Sequence, residues 1–154
     1  GVVSHDHVRL LAGWGRNGEP SHELTPARFL GDREYLILGT PGLANGCAAG
    51  DRVQVDEKGA FVVVERGPNV AVHFYSASAI PEPDLRELQE PFVRAGAIVE
   101  WPEQRRFAVV TVPVDAGFPQ IEAIVEDWIG RHPEVEWNYG NVYGDDGEPL
   151  GWWA

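Results

Sequence analysis

The chain has 154 residues, 44% hydrophobic and 23% charged, with 18 Gly and 12 Pro, a mixture that fits one globular domain rich in turns. Twenty-four acidic residues against twelve basic ones give a formal charge of -12. That charge opposes binding to nucleic acid and to anionic membranes, which both depend on Lys and Arg. The only cysteine, Cys47, excludes an intramolecular disulfide and any cysteine-cluster metal site, and it suits a reducing, cytoplasmic setting.

No stretch approaches the eighteen apolar residues of a membrane helix, and the start Gly1-Val2-Val3-Ser4-His5-Asp6-His7 lacks the basic and apolar regions of a secretory signal. The charge is unevenly spread. Residues 1–80 hold nine acids and seven bases, whereas residues 81–154 hold fifteen acids and five bases.

In chain order, residues 8–12 read as an opening strand. The Gly-rich stretch 13–20 reads as an exposed loop, because it has no periodicity. Residues 34–38 are a second strand. Residues 52–55 alternate Val53 and Val55 with Arg52 and Gln54, the pattern of a strand with one wet face. Glu57-Lys58-Gly59 then turns the chain into a strand over 60–66. These short pieces predict a small bent antiparallel β unit over residues 1–69.

The second half has stronger patterns. Residues 70–75 form a strand, and 81–95 form a helix with Leu85, Leu88 and Phe92 on one stripe. Strands over 97–101 and 107–112 follow. Residues 117–131 form the best helix, with Phe118, Ile121, Ile124, Val125, Trp128 and Ile129 at helical spacing and Pro119 in its first turn. Residues 134–139 alternate Val135, Trp137 and Tyr139 with Glu134, Glu136 and Asn138.

This βαββαβ order predicts an α+β fold, a ferredoxin-like split βαβ sheet over residues 70–154 with an acidic tail. The first and third of its strands are apolar on nearly both faces and belong inside the sheet. The face without helices then needs a cover, supplied by the N-terminal strands or a second subunit. The two units together make one compact structural domain.

The segment Gly31-Asp32-Arg33-Glu34-Tyr35-Leu36-Ile37-Leu38, Pro41, and Gly42-Leu43-Ala44-Asn45-Gly46-Cys47-Ala48-Ala49-Gly50-Asp51-Arg52-Val53 resembles the bacterial domain-of-unknown-function family numbered 4265. So do Val63-Val64-Glu65-Arg66-Gly67, Ala108-Val109-Val110-Thr111-Val112-Pro113 and Glu136-Trp137-Asn138-Tyr139, and the resemblance spans roughly residues 7–143. It implies a fold and a bacterial cytoplasmic setting, but no mechanism. One departure is Gly67-Pro68-Asn69-Val70, where the family tends to place a small hydroxyl residue after the glycine turn.

No phosphate-binding glycine loop occurs, since no GxxxxGK or GxGxxG run is present. His5, Asp6 and His7 have spacing open to a metal, but a solvated chain end is the default reading and no metal or cofactor is expected. His22 reads as a loop residue, and His132 needs no more than a favourable contact with a helix end. Cys47 would need a histidine base to act as a nucleophile, and His73 is the candidate; buried filler is the commoner role of a lone cysteine. Asp51 reads as an acceptor of backbone N–H groups at a turn.

The acids concentrate on the second helix (Glu122, Glu126, Asp127), the last strand (Glu134, Glu136) and the tail (Asp145, Asp146), next to Trp152 and Trp153. No structural role requires like charges at the i,i+4 pair Glu122 and Glu126; solubility is the bland explanation and a basic partner surface the sharp one. The expected function is therefore a non-catalytic protein-binding domain, of the immunity or inhibitor kind. It would occlude a basic toxin or enzyme after electrostatic steering. The alternative is a small-molecule or enzymatic pocket between the two units, lined by Tyr35, Asn45, Cys47 and His73. A homodimer through the exposed sheet is a third possibility.

Overall fold

The computed structural model describes residues 7–154; His5 and Asp6 of the candidate metal cluster lie outside them, and His7 is exposed at the start of the first strand. The described residues form two antiparallel sheets and two α-helices. Five strands, β1 (His7–Trp14), β2 (Pro20–Gly31), β3 (Glu34–Ile37), β4 (Arg52–Val55) and β5 (Phe61–Glu65), pair in chain order as a meander. The sheet curls far enough for the Leu11 N–H to donate to the Gly59 carbonyl, 2.8 Å away, which ties β1 to the β4–β5 turn.

The second unit runs β6 (Asn69–Tyr75), α1 (Glu82–Arg94), β7 (Ile98–Glu100), β8 (Phe107–Pro113), α2 (Phe118–Arg131) and β9 (Glu136–Tyr139). Its sheet has the order β7-β8-β6-β9, with every adjacent pair antiparallel. The two strands that are apolar on both faces, β6 and β8, therefore lie inside.

The sequence pattern hid one element. β2 is a twelve-residue strand where no strand was predicted, and β1 extends through Gly13 and Trp14 into what read as loop. Of the β2 residues only Thr25 and Ala27 are buried, and Pro26 offers no N–H, so the strand carries almost no apolar signal. It is specified by its pairing. One half pairs with β1 and the other with β3, and the Pro26 carbonyl accepts from Leu38 N–H.

Two cores result. Val72, Phe74, Leu85, Leu88, Phe92, Val110, Ile121, Val125 and Trp128 pack between the four-stranded sheet and the helices. Fully burying each such side chain contributes about 1.5–3 kcal/mol. A smaller core of Val8, Leu10, Ala27, Ile37, Val53 and Val55 fills the curl of the meander.

The helix-free face of the second sheet is covered from within the chain, by the segment joining β3 to β4. Its Pro41 carbonyl accepts from His73 Nε2, 3.0 Å away, and its Thr40 hydroxyl meets that of Thr111 at 2.5 Å. Ala44 and Cys47 on the same segment enter the smaller core. Two close approaches demand glycine: a Cβ on Gly42 would lie 2.5 Å from the Phe107 ring, and one on Gly140 would lie 2.8 Å from the His73 ring.

Candidate functional site: an acidic, aromatic cleft

The site begins with that connecting segment, which two carboxylates hold in place. Glu23 on β2 accepts the N–H groups of Gly42 (2.8 Å), Leu43 (2.9 Å) and Ala44 (2.8 Å). Asp51, 0% exposed, accepts those of Ala48 (2.9 Å) and Gly67 (2.7 Å), with the Arg66 guanidinium 3.5 Å away. Burial pushes the Asp51 carboxyl above its usual range, while the two N–H groups and Arg66 pull it back. The run of backbone donors, of the kind that binds an anion, is thus filled by the chain's own acids.

The anchored segment presents Asn45 to the second unit, where the Gly46 N–H donates to the Gly140 carbonyl at 2.7 Å. Across this junction opens a cleft of about 510 Å³, lined by Asn45, Glu122, Trp137, Tyr139, Tyr143 and Asp145 among others. The Tyr139 hydroxyl donates to Glu122 Oε2 at 2.7 Å. Burial, then the bond to Glu122, raise the Tyr139 phenol well above its usual range, so it stays neutral. Tyr139 lies edge-on to Trp137 (5.3 Å between centroids) and to Phe118 (5.6 Å), and beside Tyr143 (6.3 Å). A second hollow, of about 570 Å³, lies between the meander and the segment after β9, and it shares Asn45, Gly140, Tyr143 and Asp145 with the first. Carboxylates beside ring faces suit a cationic group, which both attract.

The acids named from sequence divide into bound and free. Asp127 pairs with Arg131 at 2.7 Å, and Arg131 also holds Glu87 of α1, so these charges tie the helices together. Glu122 is bound to Tyr139, and Asp146 Oδ1 accepts the Glu148 N–H within the tail. Glu126, Glu134, Glu136 and Asp145 are exposed, and among the described residues their side chains make no hydrogen bond or ion pair. Trp152 turns back onto the fold, where its indole N–H donates to the Asn141 carbonyl (2.8 Å) and its ring lies 5.8 Å from the Arg66 guanidinium carbon. Trp153 packs edge-on against Phe118 at 5.1 Å.

The residues of the alternative pocket do not share a cavity. Tyr35 faces a hollow of the meander, Asn45 lines the acidic cleft, and Cys47 and His73 are buried. Burial drives the Cys47 thiol far up from its usual range, so no thiolate is available. Burial also lowers the basicity of His73, whose Nε2–H is committed to Pro41.

Asp84, Glu87 and His132 bring ligand-type atoms within 4.8 Å of one another. Arg131 already supplies a cation to Glu87, so the group reads as an ion-pair network between the helices. Trp137, Tyr139 and Tyr143 went unrecognised as site residues. Their signal was three aromatics within seven positions beside acids, which the strand alternation disguised.

Fold and site together define an α+β protein with two antiparallel sheets and an open acidic, aromatic cleft. The family described as domain of unknown function (DUF4265) matches residues 23–137, and the chain belongs to it. A solved structure described as a novel crystal structure of a hypothetical protein from Neisseria gonorrhoeae is similar, with a TM-score of 0.63 at 12% identity. The match covers 88% of this chain and 94% of that one, and shows a shared fold. Comparison with curated proteins gives no match. Among the described residues no helix is long and apolar enough to cross a membrane.

Proposed function

We propose that this chain is a non-catalytic protein-binding domain that takes a basic partner at the acidic cleft. The single observation that carries the reading is the cleft itself, where Glu122 and Asp145 flank the rings of Trp137, Tyr139 and Tyr143. A Lys or Arg side chain seated there meets a carboxylate and a ring face together. The free acids Glu126, Glu134 and Glu136, in the half of the chain that carries most of the charge, steer such a partner on approach. An immunity or inhibitor protein that occludes a basic toxin or enzyme is the form this binding takes. The four-stranded unit is read as ferredoxin-like, a reading supported by its strand order and by its alternation of strands and helices.

The test is capture from the native cells at low salt, with wild-type protein and with the E126K/D145K variant as baits. A basic protein retained by the first and lost by the second, with association at least about tenfold slower at high salt, is the expected result. Equal retention by both baits, or no basic protein on either, refutes the proposal.

A further inference from the structure

A larger hollow lies elsewhere, and its chemistry is of the opposite kind. The curled meander encloses a concavity of about 800 Å³, within the size range of small-ligand sites. Three aromatic side chains line it: Trp14, Phe29 and Tyr35, the last two forming a tilted pair with centroids 5.3 Å apart. Trp14 is 67% exposed although it is the largest apolar side chain of its sheet.

Three cations line the same space, Arg9, Arg33 and Lys58. Among the described residues none of their side chains has a hydrogen bond or ion pair. Elsewhere the arginines are mostly engaged: Arg52, Arg66, Arg86, Arg94 and Arg131 with carboxylates, and Arg105 with the Ile80 carbonyl. In a chain of charge -12, three of the six Lys and Arg side chains without such a bond among the described residues line one group of rings; the other three are Arg16, Arg28 and Arg106.

The acids of the concavity, Asp56 and Glu57, offset two of these three charges and leave a net charge of +1. Asp56 Oδ1 accepts the N–H groups of Lys58 (2.8 Å) and Ala60 (3.0 Å), holding the turn, and Glu57 is exposed. Lys58 is held in register from the other side, because His22 Nε2–H donates to its carbonyl at 2.8 Å.

Arg33 has a further peculiarity. The two-residue β2–β3 turn puts Asp32 at φ 52 and Arg33 at φ 61, left-handed positions that Asn-Gly would fill without strain. An arginine kept there against its backbone preference points to a use for its side chain.

We infer that the concavity of the meander binds a small organic anion of the nucleotide class, with a planar ring against Trp14 and the Phe29–Tyr35 pair and its phosphate held by Arg9, Arg33 and Lys58. Ring stacking and charge-assisted hydrogen bonds to phosphate are the two interactions these side chains supply. The excess of acid over the rest of the chain repels a long polyanion, which selects a free ligand over a nucleic acid strand. The site lies on the nearly neutral half and is independent of the acidic cleft, so either assignment stands or falls alone.

The experiment is calorimetric titration of the whole chain with the four ribonucleoside monophosphates, with adenosine, with inorganic phosphate and with a ten-nucleotide single-stranded RNA. At least one monophosphate binds, and adenosine and phosphate each bind at least about tenfold more weakly, since each keeps only one half of the recognition. Arg33→Gly raises the melting temperature by relieving the turn and weakens the monophosphate at least about tenfold, which separates lost contacts from lost folding. Trp14→Ala weakens it likewise. No monophosphate binding at millimolar concentration, unchanged affinity in both variants, or an oligonucleotide binding at least about tenfold more tightly than every monophosphate overturns the assignment.

Discussion

Replacing Asp51 with Ala removes the acceptor that holds the ends of the connecting segment together. Two buried donors, Ala48 N–H at 2.9 Å and Gly67 N–H at 2.7 Å, lose their partner, and no water-exposed route replaces a carboxylate that is 0% exposed. Each orphaned donor costs about 1–3 kcal/mol. Part is returned, because burial disfavours the ionised carboxyl, and Arg66 is exposed enough to turn to solvent. The net loss is about 2–4 kcal/mol, or a fall of roughly 5–15 °C in melting temperature for a chain of this length. Asp51→Asn falls between, since its amide oxygen still accepts one N–H while its NH2 faces the other. Urea and thermal unfolding followed by circular dichroism read both. A D51A midpoint within about 0.5 kcal/mol of wild type refutes the claim that these two bonds anchor the segment.

Two further predictions concern the face beneath that segment. His73 is neutral in the fold because burial lowers its basicity, so its folded value lies below the ordinary 6.5 of a histidine. The unfolded chain then binds the extra proton first, and the stability His73 supports is present above about pH 6.5 and is lost as pH falls through the folded value. Urea midpoints from pH 8 to pH 5 should therefore decline, and His73→Gln should flatten that decline; parallel curves for the two proteins contradict it. Gly140→Ala places a methyl 2.8 Å from the His73 ring and 3.0 Å from Ala71 Cβ, and should destabilise by about 1–3 kcal/mol. A melting temperature equal to wild type would show that the two strands can part freely there.

The second unit was legible because each of its elements has a strong local pattern. The stripe Leu85, Leu88 and Phe92, and the run from Ile121 to Trp128, put helices where helices occur, and the apolar faces of β6 and β8 marked the inner strands. β2 was invisible for the opposite reason: a strand with two partners but little burial is specified by register, which a local reading does not contain.

The cleft was half legible. Its acids could be counted, but Glu122 and Tyr139 meet only because α2 packs beside β9, and Asn45 arrives from the other unit. Cys47 and His73 were grouped as chemistry because their residue types are reactive. Their burial, which removes that reactivity, is a tertiary property.

The junction between the two cores also bears on cooperativity. The bonds that join the connecting segment to the second sheet are polar: Thr40 to Thr111, Pro41 to His73, Gly46 to Gly140, and Ala49 to the Asn69 amide at 2.8 Å. Coupling carried by hydrogen bonds is directional and short-ranged, unlike the diffuse cohesion of an apolar interface. The two halves therefore melt together only while those few geometries survive. Tryptophan emission reports mainly the second half, which holds Trp101, Trp128, Trp137, Trp152 and Trp153, with Trp14 alone in the meander. A break in the junction would divide one unfolding transition into two, and the meander could then open while the helical half remained folded.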